Sequence, residues 1–216
     1  MTWTQFMALI FILSFWLGSI PFGFLVARVF KFKIQVEEGR RNIDATHVSH
    51  VVGFWPAGVL TFFLDVGKGV LAVFLATPAG HQILDATFPI QALSPTSESS
   101  LTIWWVTGLI AVLGHCFSPW VNFKGGKGVA TGLGVILVLS PVSALFGVFG
   151  FAIAFLYKRI VSLASIAGLI LTSVTYIVLN PVGVHLWVGG AIILLISMRH
   201  EVNIDALLAN EEKVFS

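Results

Sequence analysis

Seven apolar runs, most of them near the length needed to cross a bilayer, constrain this chain more than any other feature. They cover approximately residues 5–29, 51–77, 101–120, 127–140, 142–157, 162–180 and 183–199. A spanning helix needs ~20 mostly apolar residues. Only 10% of the 216 residues are charged and 57% are hydrophobic, whereas soluble domains carry roughly 25% charged residues. The predicted fold is therefore an all-α integral membrane protein with seven transmembrane helices, a single domain over residues 1–216. The first run is too long for a cleaved signal peptide, and no small-residue cleavage site closes it. One cysteine, Cys116, excludes an internal disulfide framework and argues against a metal cluster; no metal or cofactor is expected.

The few charges orient the bundle. Of twelve Lys and Arg, eleven fall on one side of the seven-span arrangement: Arg28, Lys31, Lys33, Arg40, Arg41, Lys124, Lys127, Lys158, Arg159, Arg199 and Lys213. The connection 78–100 on the other side holds neither Lys nor Arg. The positive-inside rule places the N-terminus outside and the C-terminus in the cytoplasm. The exception is Lys68, three residues after Asp65 and so on the same helical face. Charge within a span is usually paired and turned inward, so Asp65–Lys68 reads as an internal ion pair that fixes packing, with a proton-relay role as the lesser alternative. Pro21, inside GSIPFG, predicts a kink or break in the first span.

On the cytoplasmic side, Lys124-Gly125-Gly126-Lys127-Gly128 puts two cations into a glycine-rich turn between apolar segments. Glycine permits close approach of backbone to ligand, and successive N–H groups in such a turn form an anion-binding concavity. The pattern suits a phosphate site; it equally suits a loop whose lysines anchor topology. It is not a nucleotide P-loop, because no Ser or Thr follows Gly126-Lys127. Ser162 and Ser165 open the sixth span just after Lys158-Arg159, as phosphate donors or as ordinary caps. His200 and Asn203, at i,i+3, close the seventh on the same surface, and His115 precedes the glycine turn. In the first loop Asn42, Thr46, His47 and His50 are further candidate ligands. His200 and Asp205 have the H-x4-D spacing of a histidine–aspartate acyltransferase dyad. Five residues along a helix are ~140° apart around its axis, which argues that the spacing is coincidental.

Taken together, the landmarks Gly18-Ser19-Ile20-Pro21-Phe22-Gly23, Asn42-Ile43 with Ala45-Thr46, Asp65 with Lys68-Gly69, Gly114-His115, Phe123 to Thr131, Ser162 to Ser165, and Arg199-His200 with Asn203-Ile204 resemble the acyl-phosphate-dependent glycerol-3-phosphate acyltransferase family, the PlsY type. The resemblance implies a bacterial inner-membrane enzyme with seven spans and its active site at the cytoplasmic face. It implies acyl transfer from acyl phosphate to the 1-hydroxyl of glycerol 3-phosphate, giving lysophosphatidic acid and phosphate for phospholipid synthesis. Carried onto this chain, Lys127, Ser162, His200 and Asn203 are the expected catalytic residues. Lys124, Gly125, Gly126, Gly128, Ser165, Asn42, Thr46 and His50 are the expected substrate-binding ones. A donor that is already activated leaves the protein to position two anionic substrates and stabilise developing charge.

Part of the pattern is rewritten. Where the family has Ser-Gly-Asn-Ile-Gly-Ala-Thr-Asn, this chain has Arg40 to His47, RRNIDATH, and His50 stands at the family's arginine. Imidazole cannot copy bidentate guanidinium recognition of phosphate. Val202 replaces an acidic residue before Asn203. These departures leave open a divergent paralogue with a changed acceptor or reduced activity. A small anion transporter is a further alternative, against which stand the absence of an internal repeat and the gathering of candidate ligands at one face. The expected partners are the two phosphate substrates and membrane lipid, with no nucleic acid; the expected state is a monomer.

Overall fold

A computed structural model describes residues 3–32, 45–77, 79–80, 98–180, 183–212 and 214–215. Among these, every regular element is helical and no strand occurs. The first apolar run gives α1 (Trp3–Ser19) and α2 (Phe22–Val29), bent by 41° at the break between them. Pro21 sits at that break, where its missing N–H and ring prevent the helix from continuing. The backbone groups released there find partners from elsewhere in the chain. The Ile20 carbonyl accepts from Lys68 Nζ at 3.0 Å, and the Ser19 carbonyl from Ser118 Oγ at 2.6 Å. Irregular backbone at membrane depth survives only with such compensation.

After α3 (Ala45–Val51) come a wide turn at Phe54–Gly58 and then α4 (Val59–Ala76). Next is α5 (Glu98–Cys116), which leads through a short turn at Pro119–Val121 to the glycine-rich segment. The rest is α6 (Val129–Leu139), α7 (Pro141–Lys158), α8 (Val161–Leu179), α9 (Val184–Met198) and the short α10 (Glu201–Leu208). Pro141 opens α7 at a position where its absent N–H costs nothing. Arg159, left-handed at φ 53°, ends α7 and turns the chain into α8.

Four helical stretches are long and apolar enough to cross a membrane: Phe54–Ala76, Ser100–Val121, Pro141–Lys158 and Val161–Leu179. The bent α1–α2 pair makes a fifth if it counts as one span. At 11 and 15 residues, α6 and α9 are shorter, rising ~16 and ~22 Å against a ~30 Å hydrocarbon core.

Small residues set the spacing of the bundle. Helices α4 and α6 interlock reciprocally: a Cβ on Gly69 would overlap the Thr131 carbonyl, and one on Gly134 the Val66 carbonyl. Helices α1 and α5 repeat the device through Gly18 against Ala111 and Gly114 against Phe15. Apolar helices in lipid gain nothing from hydrophobic burial against each other, so close backbone packing has to hold them together. Polarity runs inside out. Leu145, Leu156 and Trp187 are exposed, while Asp65, Lys68, His115 and His200 are buried.

Candidate active site

The glycine-rich segment folds back on the end of α5. Gly125 N–H donates to the Cys116 carbonyl and Gly126 N–H to the His115 carbonyl, each at 3.2 Å. A Cβ on Gly125 would overlap that His115 carbonyl, and one on Gly126 would overlap the His115 ring. Gly128, at φ 90°, turns the chain into α6. From the end of α9, Arg199 holds the outer edge of the turn. Its Nη2 donates to the Gly125 carbonyl at 2.8 Å, its Nε to the Gly126 carbonyl at 3.3 Å, and its guanidinium lies over the Phe117 ring.

Two N–H groups of the expected concavity, those of Gly125 and Gly126, are therefore already bonded. The peptides of Gly125 and Gly126 are committed to α5 and Arg199, and the turn works as a rigid mount for Lys127. That lysine lies on the wall of a small polar cavity of about 100 Å³. Five other elements bring polar side chains to the same cavity: α3 through Thr46, α4 through Asp65, α5 through His115, α8 through Ser162 and Ser165, and the turn after α9 through His200.

Charge within it is arranged in a chain. Asp65 Oδ1 lies 2.7 Å from Lys68 Nζ and 3.6 Å from His115 Nδ1. The Lys68 contact is an ion pair by distance rather than an aligned hydrogen bond at Oδ1. Asp65, Lys68 and His115 are all nearly inaccessible to solvent. The expected internal pair is present, and Lys68 also closes the break in the first span. His200, 2% exposed, has Nδ1 2.8 Å from the Ile196 carbonyl. A carbonyl only accepts, so Nδ1 carries the proton and fixes the tautomer. Ser165 Oγ donates to the Val161 carbonyl one turn back. Ser162 Oγ and Asn203 Nδ2 both donate, at 2.7 Å, to the same carboxylate oxygen of Glu212.

Six of the residues singled out from sequence thus meet at one cavity: Thr46, Lys127, Gly128, Ser162, Ser165 and His200. Asn203 lies beside it, joined to Ser162 through Glu212. Lys124, half-buried, lies off this wall together with Gly125 and Gly126. His50 is placed elsewhere too, its ring 5.4 Å from that of Phe215, because an aromatic cluster takes it up. Asn42 lies outside the described residues. Asp205 is exposed on α10 while His200 is buried, so the H-x4-D spacing makes no dyad.

Sequence reasoning missed Asp65 and His115 as cavity residues, although charge inside an apolar span is itself a pointer to function. It also missed Arg199 and Glu212. A second cavity of about 810 Å³ adjoins the first, sharing Phe62, Val129, Phe151 and Ser165 with it. Its walls are almost wholly apolar, from α6, α7, α8 and α9, and its size is typical of small-molecule sites. A polar pocket against an apolar chamber suits a ligand with a charged head and an aliphatic tail.

Known proteins share this architecture and sequence. A family model described as Glycerol-3-phosphate acyltransferase matches residues 8–210. A glycerol-3-phosphate acyltransferase of Anaeromyxobacter dehalogenans (strain 2CP-1 / ATCC BAA-258) is 39% identical over 202 residues, 91% of this chain and 90% of the relative. One from Leptospira borgpetersenii serovar Hardjo-bovis (strain JB197) is 36% identical over 208 residues, covering 93% and 87%. Two crystal structures of PlsY (YgiH), an integral membrane glycerol 3-phosphate acyltransferase, superpose closely. The glycerol 3-phosphate form has a TM-score of 0.79 at 34% identity, covering 97% of this chain and 96% of that one. The lysophosphatidic acid form has a TM-score of 0.77 at 36% identity, covering 97% and 95%.

Proposed function

The chain belongs to the glycerol-3-phosphate acyltransferase family, and from that premise we propose how its two cavities divide the work. It is an integral membrane acyltransferase that acylates glycerol 3-phosphate in phospholipid biosynthesis. The acyl donor in our reading is acyl phosphate, its aliphatic chain in the apolar cavity and its phosphate in the polar one. The acceptor's 1-hydroxyl oxygen bonds to the acyl carbon while the acyl carbon–phosphate oxygen bond breaks. The hydroxyl proton passes to a phosphate oxygen, leaving lysophosphatidic acid and inorganic phosphate.

Each residue's role follows from its chemistry. Lys127 supplies a positive point charge to the phosphates. Ser162 donates from the start of α8, where N–H groups and the helix dipole also favour an anion. His200, with Nδ1 already bonded to Ile196, offers a second proton from Nε2 only as imidazolium. Thr46 and Ser165 complete the wall, with Asn203 beside it. These groups are fixed before substrate arrives, which makes them effective against charge that develops on the carbonyl oxygen and leaving phosphate.

The topology we infer has seven spans, with α6 and α9 as short ones, the N-terminus outside and the C-terminus in the cytoplasm. The asymmetry of the basic residues supports this orientation, and in this reading the polar cavity lies at the cytoplasmic face of the bacterial inner membrane. The working unit in this reading is a monomer.

One observation carries the proposal: Lys127, Ser162 and His200, from three separate parts of the sequence, line one cavity that opens beside a tail-sized apolar one. The test is phosphate release from palmitoyl phosphate by purified protein in detergent. Release that depends on added glycerol 3-phosphate, and falls with Lys127→Ala, is the expected result. No turnover at any chain length overturns it.

A further inference from the structure

The apolar cavity has a far end, and aromatic rings stand there. It begins at Ser165, which it shares with the polar cavity. Eleven residues further along α8, Tyr176 lies on its wall. Trp105 of α5, ten residues before His115, lines the same space. Gly183 and Leu186, at the start of α9, complete that end. At ~1.5 Å of rise per residue, α5 and α8 each place the aromatic residue ~15–16 Å from the polar cavity. That is the depth of one leaflet, half of a ~30 Å hydrocarbon core.

The rings are clamped. Trp105 and Tyr176 are buried, with centroids 4.8 Å apart. A Cβ on Gly189 of α9 would come within 3.3 Å of the Trp105 ring, so α9 closes down on that indole. His185, buried but off the cavity wall, meets the Tyr176 ring edge to face at 6.0 Å. Three helices thus hold one aromatic cluster, and such ring pairs resist separation beyond what their buried area supplies.

We propose that Trp105 and Tyr176, backed by His185, form the stop that measures the acyl tail, so that the site selects donors whose chain fills one leaflet's depth. The inference rests on reading the apolar cavity as the acyl site. A tail that falls short leaves contacts unmade, at about fourfold in affinity for each missing methylene. A tail that overruns must fold back or displace a packed ring, and close-packed interiors resist added volume. Trp105 and Tyr176 meet the end of the tail; His185 acts through Tyr176 and is a positioning residue.

Two experiments test this. In the first, unaltered protein in detergent is photolabelled with hexadecyl phosphate carrying a diazirine at its terminal carbon, and the adducts are mapped by mass spectrometry. Adducts on Trp105, Tyr176 or Leu186 are expected; adducts confined to other residues overturn the proposal. In the second, kcat/KM is compared for palmitoyl, stearoyl and arachidoyl phosphate, each longer than the last by one ethylene unit. Trp105→Leu and Tyr176→Leu, which remove the rings and keep the wall apolar, should raise the arachidoyl-to-palmitoyl ratio about tenfold. His185→Ala should move it in the same direction by less, and Tyr176→Phe, which keeps the ring, should leave it unchanged. A uniform fall for all three donors with the ratio unmoved makes the cluster packing alone and overturns the proposal. Labelling at the rings in a protein that turns over no donor sinks the acyltransferase reading and leaves the stop standing.

Discussion

Arg199 Nη2 donates to the carbonyl of Gly125 at 2.8 Å, joining residues 74 positions apart in sequence. Through this bond and the one to Gly126, the end of α9 braces the turn that presents Lys127. A hydrogen bond to a charged donor contributes ~1.5–3 kcal/mol, and each ~1.4 kcal/mol is tenfold in an equilibrium constant. Arg199→Ala should lower kcat/KM about ten- to a hundredfold and reduce the thermal midpoint in detergent. Lysine cannot reproduce a fork across two carbonyls, so Arg199→Lys should recover only part. Unchanged kinetics in the alanine variant would mean that the brace is not needed.

The two lysines of the turn are expected to differ. Lys127 lines the polar cavity and Lys124 does not. Removing a fixed charge aimed at developing negative charge costs on the order of 10²–10³ in rate. Lys127→Ala should show a loss of that order, with Lys124→Ala within a few-fold of the unaltered enzyme. Equal losses, measured side by side as initial rates of phosphate release, would show that proximity to the cavity is not what matters.

Glycine tolerance separates packing from flexibility. A Cβ at Gly126 would overlap the His115 ring, whereas one at Gly67, exposed on α4, meets nothing within 4 Å. Gly126→Ala should push His115 away from Asp65 and lower both thermal stability and activity. Gly67→Ala should leave stability within about 1 kcal/mol. The pair is read by thermal unfolding of the purified variants; equal behaviour would contradict the contact.

Much of this was legible in the chain, for identifiable reasons. Apolar runs announce helices because bilayer insertion sums local hydropathy, and Pro21 marks the break because its chemistry is local. Lys127, Ser162 and His200 stand out as polar groups where apolar ones are the rule. The committed peptides of Gly125 and Gly126 were not legible, since the partners of their N–H groups lie on α5 and the partner of their carbonyls is Arg199. Nor was Glu212: well past His200 in a polar stretch, it looks like a solvated charge until the fold returns it to Ser162. The packing of His50 was hidden for the same reason, because its partner Phe215 lies 165 positions away. Run 127–140 resolves as an 11-residue helix because Lys127 and Gly128 belong to the turn.

The Asp65–Lys68 pair should behave as a unit. Both side chains are almost fully buried and 2.7 Å apart. Breaking such a pair by removing one partner typically costs ~3–5 kcal/mol, because the other charge is left uncompensated. Asp65→Asn or Lys68→Met alone should sharply lower the thermal midpoint; together they should recover a good part of it. Activity need not return with stability, as Asp65 also faces His115 at 3.6 Å on the cavity wall. Additive losses in the double variant would show that the two charges act independently.

Chain-length preference should follow the apolar cavity. Gly190 lies on its wall, and a Cβ there meets nothing within 4 Å, so a larger side chain can be introduced without backbone conflict. Each methylene excluded from an apolar site forfeits ~0.8 kcal/mol, about fourfold in kcat/KM. Gly190→Phe should therefore depress turnover of palmitoyl phosphate well beyond that of octanoyl phosphate, whose shorter tail fits the remaining space. The measurement is kcat/KM for the two donors in each protein at fixed glycerol 3-phosphate. If the ratio of the two values is the same in both proteins, the acyl tail lies elsewhere, and the assignment of the apolar cavity fails even though the phosphate site stands.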